Sequence, residues 1–253
     1  MKGLIATAVV VAVLLASGVA DAAAATCDGV AATIVGTSGP DRLAGTPGRD
    51  VIQARRGNDI IRGRGGNDLI CARLGRDDVE DGGGQDVVFL GRGNDFMRDL
   101  RGSDVINMGA GSDEVNDGPG NDIFRGGRGN DDVDLYSGGD DRFRGGRGRD
   151  RVTSLDQDSP VTIDLTAGTV QGLGNDTVSS VESAEGSFFN DTLIGSAANN
   201  VLGGDDGSDH IEGRGGNDVL LGGGGGGADF LDGGDGFDTC IGFVPAVEVN
   251  CEA

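Results

Sequence analysis

An aspartate recurs every nine residues in this chain, at positions 41, 50, 59, 68, 77, 86, 95, 104, 113, 122 and 131, and after a one-residue slip near 137–140 again at 141 and 150. Two residues before each stands a glycine, from Gly39 and Gly48 through to Gly139 and Gly148. Two residues after each stands an apolar residue: Leu43, Ile52, Ile61, Ile70, Val79, Val88, Met97, Ile106, Val115, Phe124, Val133, Phe143 and Val152. Only 36% of the chain is apolar, so thirteen hits in thirteen units mark a repeated structural demand rather than chance.

Nine residues are too few for a helical hairpin. They suit a tight turn of six followed by a strand of three, in which side chains alternate and the invariant apolar residue points inward. One such strand cannot bury that residue, but two units make a flattened coil of 18 residues. Stacked coils pair their strands in parallel at about 4.8 Å and set two inward rows face to face. The expected fold is therefore all-β, a parallel β-roll or β-solenoid of stacked nonapeptide repeats. Thirteen units give about six and a half coils, roughly 30 Å of solenoid. Glycine suits the turns because it reaches positive φ and lets backbones approach closely.

The stacking explains why charge matters. Units of the same parity share an edge, so Asp41, Asp59, Asp77, Asp95, Asp113 and Asp131 form one ladder and Asp50, Asp68, Asp86, Asp104, Asp122 and Asp141 the other, with Asp150 closing the array. Carboxylates one strand apart repel, and the turns supply no regular Lys or Arg opposite them. Good turn chemistry accounts for the Asn that often precedes the Asp, as at 57–59, 93–95 and 129–131, but not for a charge in every unit. A row of carboxylates and unpaired turn carbonyls suits a hard, oxygen-seeking dication of flexible coordination, which favours calcium over magnesium.

The sequence divides accordingly. Residues 1–25 have one Lys, an apolar run and a series of small residues, and read as a secretory signal peptide; the run is too short to span a bilayer. Residues 26–35 form an N-terminal cap, with VAATIVG at 30–36 as its strand, and 36–153 the main array. In 154–190 the period is lost, which reads as an irregular solenoid spacer, although Gly-Asn-Asp occurs within it at 174–176. A second array over 191–241 carries Asp191, Asn200, Asp209, Asp218, Asp229 and Asp238, the glycine run 222–227 adding two residues before Asp229. Residues 242–253 form a C-terminal cap. Asn200 replaces a charged ligand and weakens its step.

With Lys+Arg 20 against Asp+Glu 42, the net charge is −22. Such a chain repels nucleic acid and anionic lipid and favours cations or basic surfaces. Its partners are expected to be calcium ions, with an extracellular or cell-surface protein as a further possibility, and neither nucleic acid nor membrane insertion. Four cysteines in an exported chain read as disulfides. We pair Cys27 with Cys71 and Cys240 with Cys251, one of three connectivities open to four cysteines, so that each bridge pins a cap.

The units resemble the GGxGxDxUx nonapeptide of RTX (repeats-in-toxin) calcium-binding proteins, most closely in GGRGNDDVD at 126–134, GGRGRDRVT at 145–153 and GGDGFDTCI at 233–241. The opening CDGVAATIVGT and the closing segment also resemble the ends of secreted actinobacterial members. The resemblance implies a parallel β-roll with several Ca2+ ions, each lying between same-edge turns and bound by the aspartates of both and by turn carbonyls. Its metal ligands are Asp41 to Asp150 of the main array and Asp191, Asp209, Asp218, Asp229 and Asp238 of the second. The match departs at Ala-Arg 54–55 and 72–73, Leu-Gly 90–91 and Asp-Leu 99–100, where Cβ atoms strain the turns and weaken those sites.

The functional expectation is a secreted calcium-binding β-roll that folds on Ca2+ binding and performs no catalysis. The chain has no HExxH motif and no GxSxG in a strand–turn–helix setting. The alternative is a calcium-stabilised adhesin or surface-interaction module using an apolar outer face. The residues after the aspartates should face outward, and Val51, Leu69, Val87, Val105 and Ile123 form an apolar series there. Strand formers on an exposed sheet account for it, and docking of the spacer or a partner is the other reading.

Overall fold

The computed structural model describes residues 25–252 apart from 100, 136–137, 155–158, 173, 226 and 243–245, so the leader read at 1–25 lies outside the described residues save for Ala25. Among the described residues there is no helix. An eleven-stranded and a fourteen-stranded sheet build a parallel β-solenoid of about eleven turns. Phe96–Arg98 pairs in parallel with Asp78–Glu80 and with Glu114–Asn116, which places Met97 between Val79 and Val115. On the opposite sheet Ile106 lies between Val88 and Phe124. Along these strands the register step is 18 residues, two nonapeptides, so each inward residue meets its equivalent in the next coil, and the step lengthens to 19 at Phe124–Phe143 and 20 at Ile211–Leu231 where the sequence carries its insertions.

The two inward rows close against each other as one continuous core from Ile52 to Leu231. Each buried aliphatic side chain contributes about 1.5–3 kcal/mol, a gain that exists only because neighbouring coils cover it. The strand of three read from the sequence holds throughout the eleven-stranded sheet. On the other sheet Leu69–Leu74, Val87–Arg92, Val105–Ala110, Ile123–Arg128 and Arg142–Arg147 run for six residues. In the first three of them the fourth residues, Ala72, Leu90 and Met108, are fully buried and add a second inward row, while in the last two that position is Gly126 and Gly145.

Close stacking also fixes the glycine two residues before each inner aspartate. Gly75 has φ +143°, and a Cβ there would lie 1.5 Å from the Gly57 carbonyl oxygen of the coil below. No side chain fits.

Two disulfides lie near the ends, Cys27–Cys71 with Cα atoms 5.6 Å apart and Cys240–Cys251 with Cα atoms 5.8 Å apart. The segment 30–36 is divided rather than one strand. Val30–Ala31 pairs antiparallel with Thr26–Cys27, while Ile34–Val35 joins the fourteen-stranded sheet beside Val51–Gln53. The hairpin is tied down where Gln53 Nε2 and Arg73 Nη2 donate to the Thr26 carbonyl at 2.6 and 2.8 Å. It lies over the start of the outward apolar series, so Val51 and Leu69 are buried with Cys27 and Cys71. Those two rungs are thus covered by the chain's own N-terminal hairpin, and the remaining Val87, Val105 and Ile123 are half-buried.

The loss of period after residue 154 affects one sheet only. The eleven-stranded sheet passes in parallel from Arg151–Thr153 to Ser183–Glu185 and on to Val201–Gly203. The fourteen-stranded sheet instead inserts Thr162–Asp164, Thr169–Gln171 and Asn175–Ser179 with antiparallel pairing. Parallel pairing resumes at both margins, with Arg142–Arg144 on one side and Thr192–Ile194 on the other.

Candidate cation-binding turns

Each ladder aspartate ends a turn and begins a strand, which brings it against the aspartate of the coil before. The Asp59 N–H donates to Asp77 Oδ1, Asp77 to Asp95 and Asp95 to Asp113, each at 2.8 Å. The other edge repeats this from Asp50 N–H to Asp68 Oδ1 at 2.8 Å through to Asp122 N–H and Asp141 Oδ1 at 2.7 Å. One carboxylate oxygen is thereby engaged in holding the stack.

The second oxygen is different. In Asp59, Asp68, Asp77, Asp86, Asp95, Asp104, Asp113, Asp122, Asp131, Asp141, Asp150, Asp209, Asp218 and Asp238, Oδ2 is buried and has no hydrogen-bond partner. It points back into its own turn: a Cβ on Gly63 would lie 2.8 Å from Asp68 Oδ2, and one on Gly126 2.6 Å from Asp131 Oδ2. A buried carboxylate oxygen without a partner is strongly unfavourable unless a cation meets it. The ion pairs found among the described residues engage Glu80, Asp132, Glu185 and Glu212 on the outer faces, and none reaches a ladder aspartate.

Four turns at the start of the two arrays are closed by a hydroxyl instead. The Thr46 N–H and Oγ1 donate to Asp50 Oδ2 at 2.6 and 3.0 Å, and Thr37 does the same for Asp41 Oδ2 at 2.6 and 3.1 Å. In the second array the Ser187 N–H and Oγ donate to Asp191 Oδ2 at 2.5 and 3.1 Å, and the Ser196 N–H and Oγ to Asn200 Oδ1 at 2.7 and 3.2 Å. Asp41, Asp50 and Asp191 therefore stand in the ladders with both oxygens engaged. Asp229 also keeps its rung, accepting the Asp209 N–H at 3.2 Å.

Burial raises the inner carboxyls. It pushes Asp68, Asp77, Asp86, Asp95, Asp122, Asp131 and Asp218 up to about 6 and Asp113, Asp141 and Asp209 to about 7. The bond from the preceding rung's N–H offsets part of this, and carboxylates above and below add to it, as Asp95 and Asp59 do for Asp77. The ladders hold negative charge reluctantly.

Sequence reasoning passed over several acids that the stack brings in. Asp141 N–H donates to Asp176 Oδ1 at 2.9 Å and Asp150 N–H to Glu182 Oε2 at 2.9 Å, so both ladders continue into the aperiodic stretch. Asp238 N–H donates to Glu252 Oε2 at 2.6 Å. The Gly-Asn-Asp spelling at 174–176 was the available signal for the first; nothing marked the glutamates. Three further aspartates, Asp81, Asp99 and Asp117, are buried at the first position of successive turns on one edge. Among the degenerate turns, Arg55 and Arg73 sit at φ 82° and 83°, a conformation that carries the strain expected of Ala-Arg in place of Gly-Gly.

An engaged oxygen per aspartate, a free buried one beside it and, among the described residues, no ion pair to a ladder aspartate make a donor set of hard oxygens short of positive charge, which fits calcium. The family model of the RTX calcium-binding nonapeptide repeat matches residues 35–70, 72–97, 100–133, 135–158, 185–220 and 223–240, well over half of the chain. The unmatched stretch 159–184 contains the antiparallel insertion. No curated protein gives a significant match.

Proposed function

The chain belongs to the family of RTX calcium-binding nonapeptide repeat proteins, and from that premise we propose that it is an exported calcium-binding β-roll that folds as calcium enters its turns and has no catalytic role. The observation that carries the reading is the row of fourteen buried aspartate Oδ2 atoms without partners. Those aspartates are the principal ligands, with turn carbonyls beside them. Asp41, Asp50, Asp191 and Asn200, closed by Thr or Ser, stand outside that set. Calcium supplies the positive charge that the stacked carboxylates lack. Because unfolded turns present no such site, binding free energy becomes folding free energy.

Export is supported by the leader pattern of residues 1–25 and by two disulfides, which persist in oxidising surroundings. The role of a surface-binding module receives less support, since the hairpin already covers part of the apolar series.

The test is circular dichroism and calorimetry on the chain lacking residues 1–25. Strand signal should appear with millimolar calcium and disappear with excess chelator. Unchanged strand content in chelator, with no heat of calcium uptake, would exclude the reading.

A further inference from the structure

The family pattern places glycine at the first position of each turn and one carboxylate at the sixth. On one edge this chain departs from it in three successive coils. The column that begins with Gly45 and Gly63 continues as Asp81, Asp99 and Asp117 before Leu135 and Ser154. These acids are not solvated alternatives to glycine. Asp81 and Asp99 are 1% exposed and Asp117 is fully buried, next to ladder aspartates Asp104 and Asp122 at 1% each. Carboxylate oxygens of Asp81, Asp99 and Asp104 lie within 4.8 Å of one another, and so do those of Asp99, Asp117 and Asp122.

Proximity of acids alone would not make a site. The second observation is Asp99 itself: no N–H or O–H donor reaches either of its oxygens or the Oδ2 atoms of Asp104 and Asp122, and Asp99 meets Asp104 carboxyl to carboxyl, as Asp117 meets Asp122, a contact that only a shared proton or a cation can hold. The space is also shaped around that carboxylate. A Cβ on Gly118 would lie 2.9 Å from Asp99 Oδ1 and 2.7 Å from the Asp99 carbonyl oxygen, so the next turn admits no side chain there. Three buried carboxylates per cluster, sharing one member, ask for more positive charge than a turn with a single aspartate.

We infer that the clusters Asp81–Asp99–Asp104 and Asp99–Asp117–Asp122 hold a bridged pair of calcium ions, one in each, with Asp99 shared between them. The two clusters lie one coil apart, about 4.8 Å, and a carboxylate has two oxygens with which to serve both. Higher ligand charge raises affinity for a hard cation, so this pair is bound more tightly than the ions of single-carboxylate turns. Asp99, whose departure from glycine the repeat pattern marks as a weakened turn, becomes the centre of the strongest site. This inference rests on the calcium reading of the turns.

Calcium titration of the chain lacking residues 1–25 against a competing chelator tests it. The unaltered chain should retain two ions after the rest have been stripped. Asp99→Asn should lose both together, each weakened at least about tenfold, while Asp81→Asn and Asp117→Asn should lose one each. Circular dichroism at saturating calcium confirms that each variant is folded; should Asp99→Asn not fold, the one-ion losses in the other two variants decide. A retained tight pair in Asp99→Asn, or no two-ion class in the unaltered chain, overturns the bridged pair while leaving calcium binding intact. No calcium uptake at all overturns both.

Discussion

The opening turns of each array and the turns inside the main array solve the same problem by different means. In both, an aspartate or asparagine oxygen has to be satisfied in a cramped loop. At 46–50 a threonine N–H and hydroxyl satisfy Asp50 from within the turn. At 64–68 the position of that threonine is taken by Arg64, and the corresponding oxygen of Asp68, like those of the other inner turns, is left without a partner. The glycine rule differs with it. Gly39 and Gly48 have room, since an added Cβ would come no nearer than 4.0 and 3.9 Å to a threonine Oγ1, whereas inner glycines press on the coil below. The second array states the same contrast in its own residues, with Phe189 and Ala198 standing where the inner turns require glycine. A hydroxyl closes a turn at any calcium concentration; an ion closes it only when present. On the proposed reading, each calcium-dependent stretch thus opens on turns that need no calcium.

That contrast can be broken most severely at the glycines. Gly75→Ala should abolish assembly of the coils around it, with the calcium-induced strand signal largely lost, while Gly39→Ala should leave the melting temperature within a few degrees of the unaltered chain. A charge substitution comes next. Asp113→Asn keeps an acceptor for the Asp95 N–H but removes a ligand and a repelling charge. It should weaken calcium binding at neighbouring turns about tenfold while raising stability in chelator; Asp50→Asn should change either by less than about 0.5 kcal/mol.

Acid should act in the same sense on the calcium-free chain. Inner carboxyls raised to about 6 or 7 in the folded state hold protons that an unfolded chain releases near 3.9, so protonation favours the roll. Strand content in chelator should grow as pH falls from 7.5 to 5 and be lost as pH rises through 6–7, and calcium affinity should run the opposite way. Strand content that stays flat over this range would contradict the repulsive ladders. The smallest effect belongs to the hydroxyl. Thr46→Val should reduce stability by about 1 kcal/mol, seen as a shift of a few degrees in thermal melting at saturating calcium.

Much of this architecture could be read before any coordinates. The nine-residue period set the coil, the row from Leu43 to Val152 set the core, and the cysteine positions suited one bridge near each end. What stayed hidden depended on neighbours eighteen residues away. Thr46 and Ser187 look like ordinary turn residues until the carboxylate they seal is placed. Asp81, Asp99 and Asp117 are spaced by 18, yet only the Asp-Leu at 99–100 stood out in the sequence, and as a flaw rather than as part of a column. The antiparallel insertion over 162–179 was invisible because alternation alone carries no direction for a strand. The burial of Val51 and Leu69 required knowing where the segment before Ala32 lies.

The aspartate bonds all point one way. Each N–H waits for a carboxylate supplied later in the chain, so a coil leaving a narrow exit N-terminus first is unfinished until its successor arrives, and the advancing rim always offers fresh donors. The rim at Asp238 is stopped by a glutamate, Glu252, whose longer arm reaches back across the disulfide loop. A chain cut just before that residue would keep every earlier coil yet leave its final rim open to the edge of another molecule.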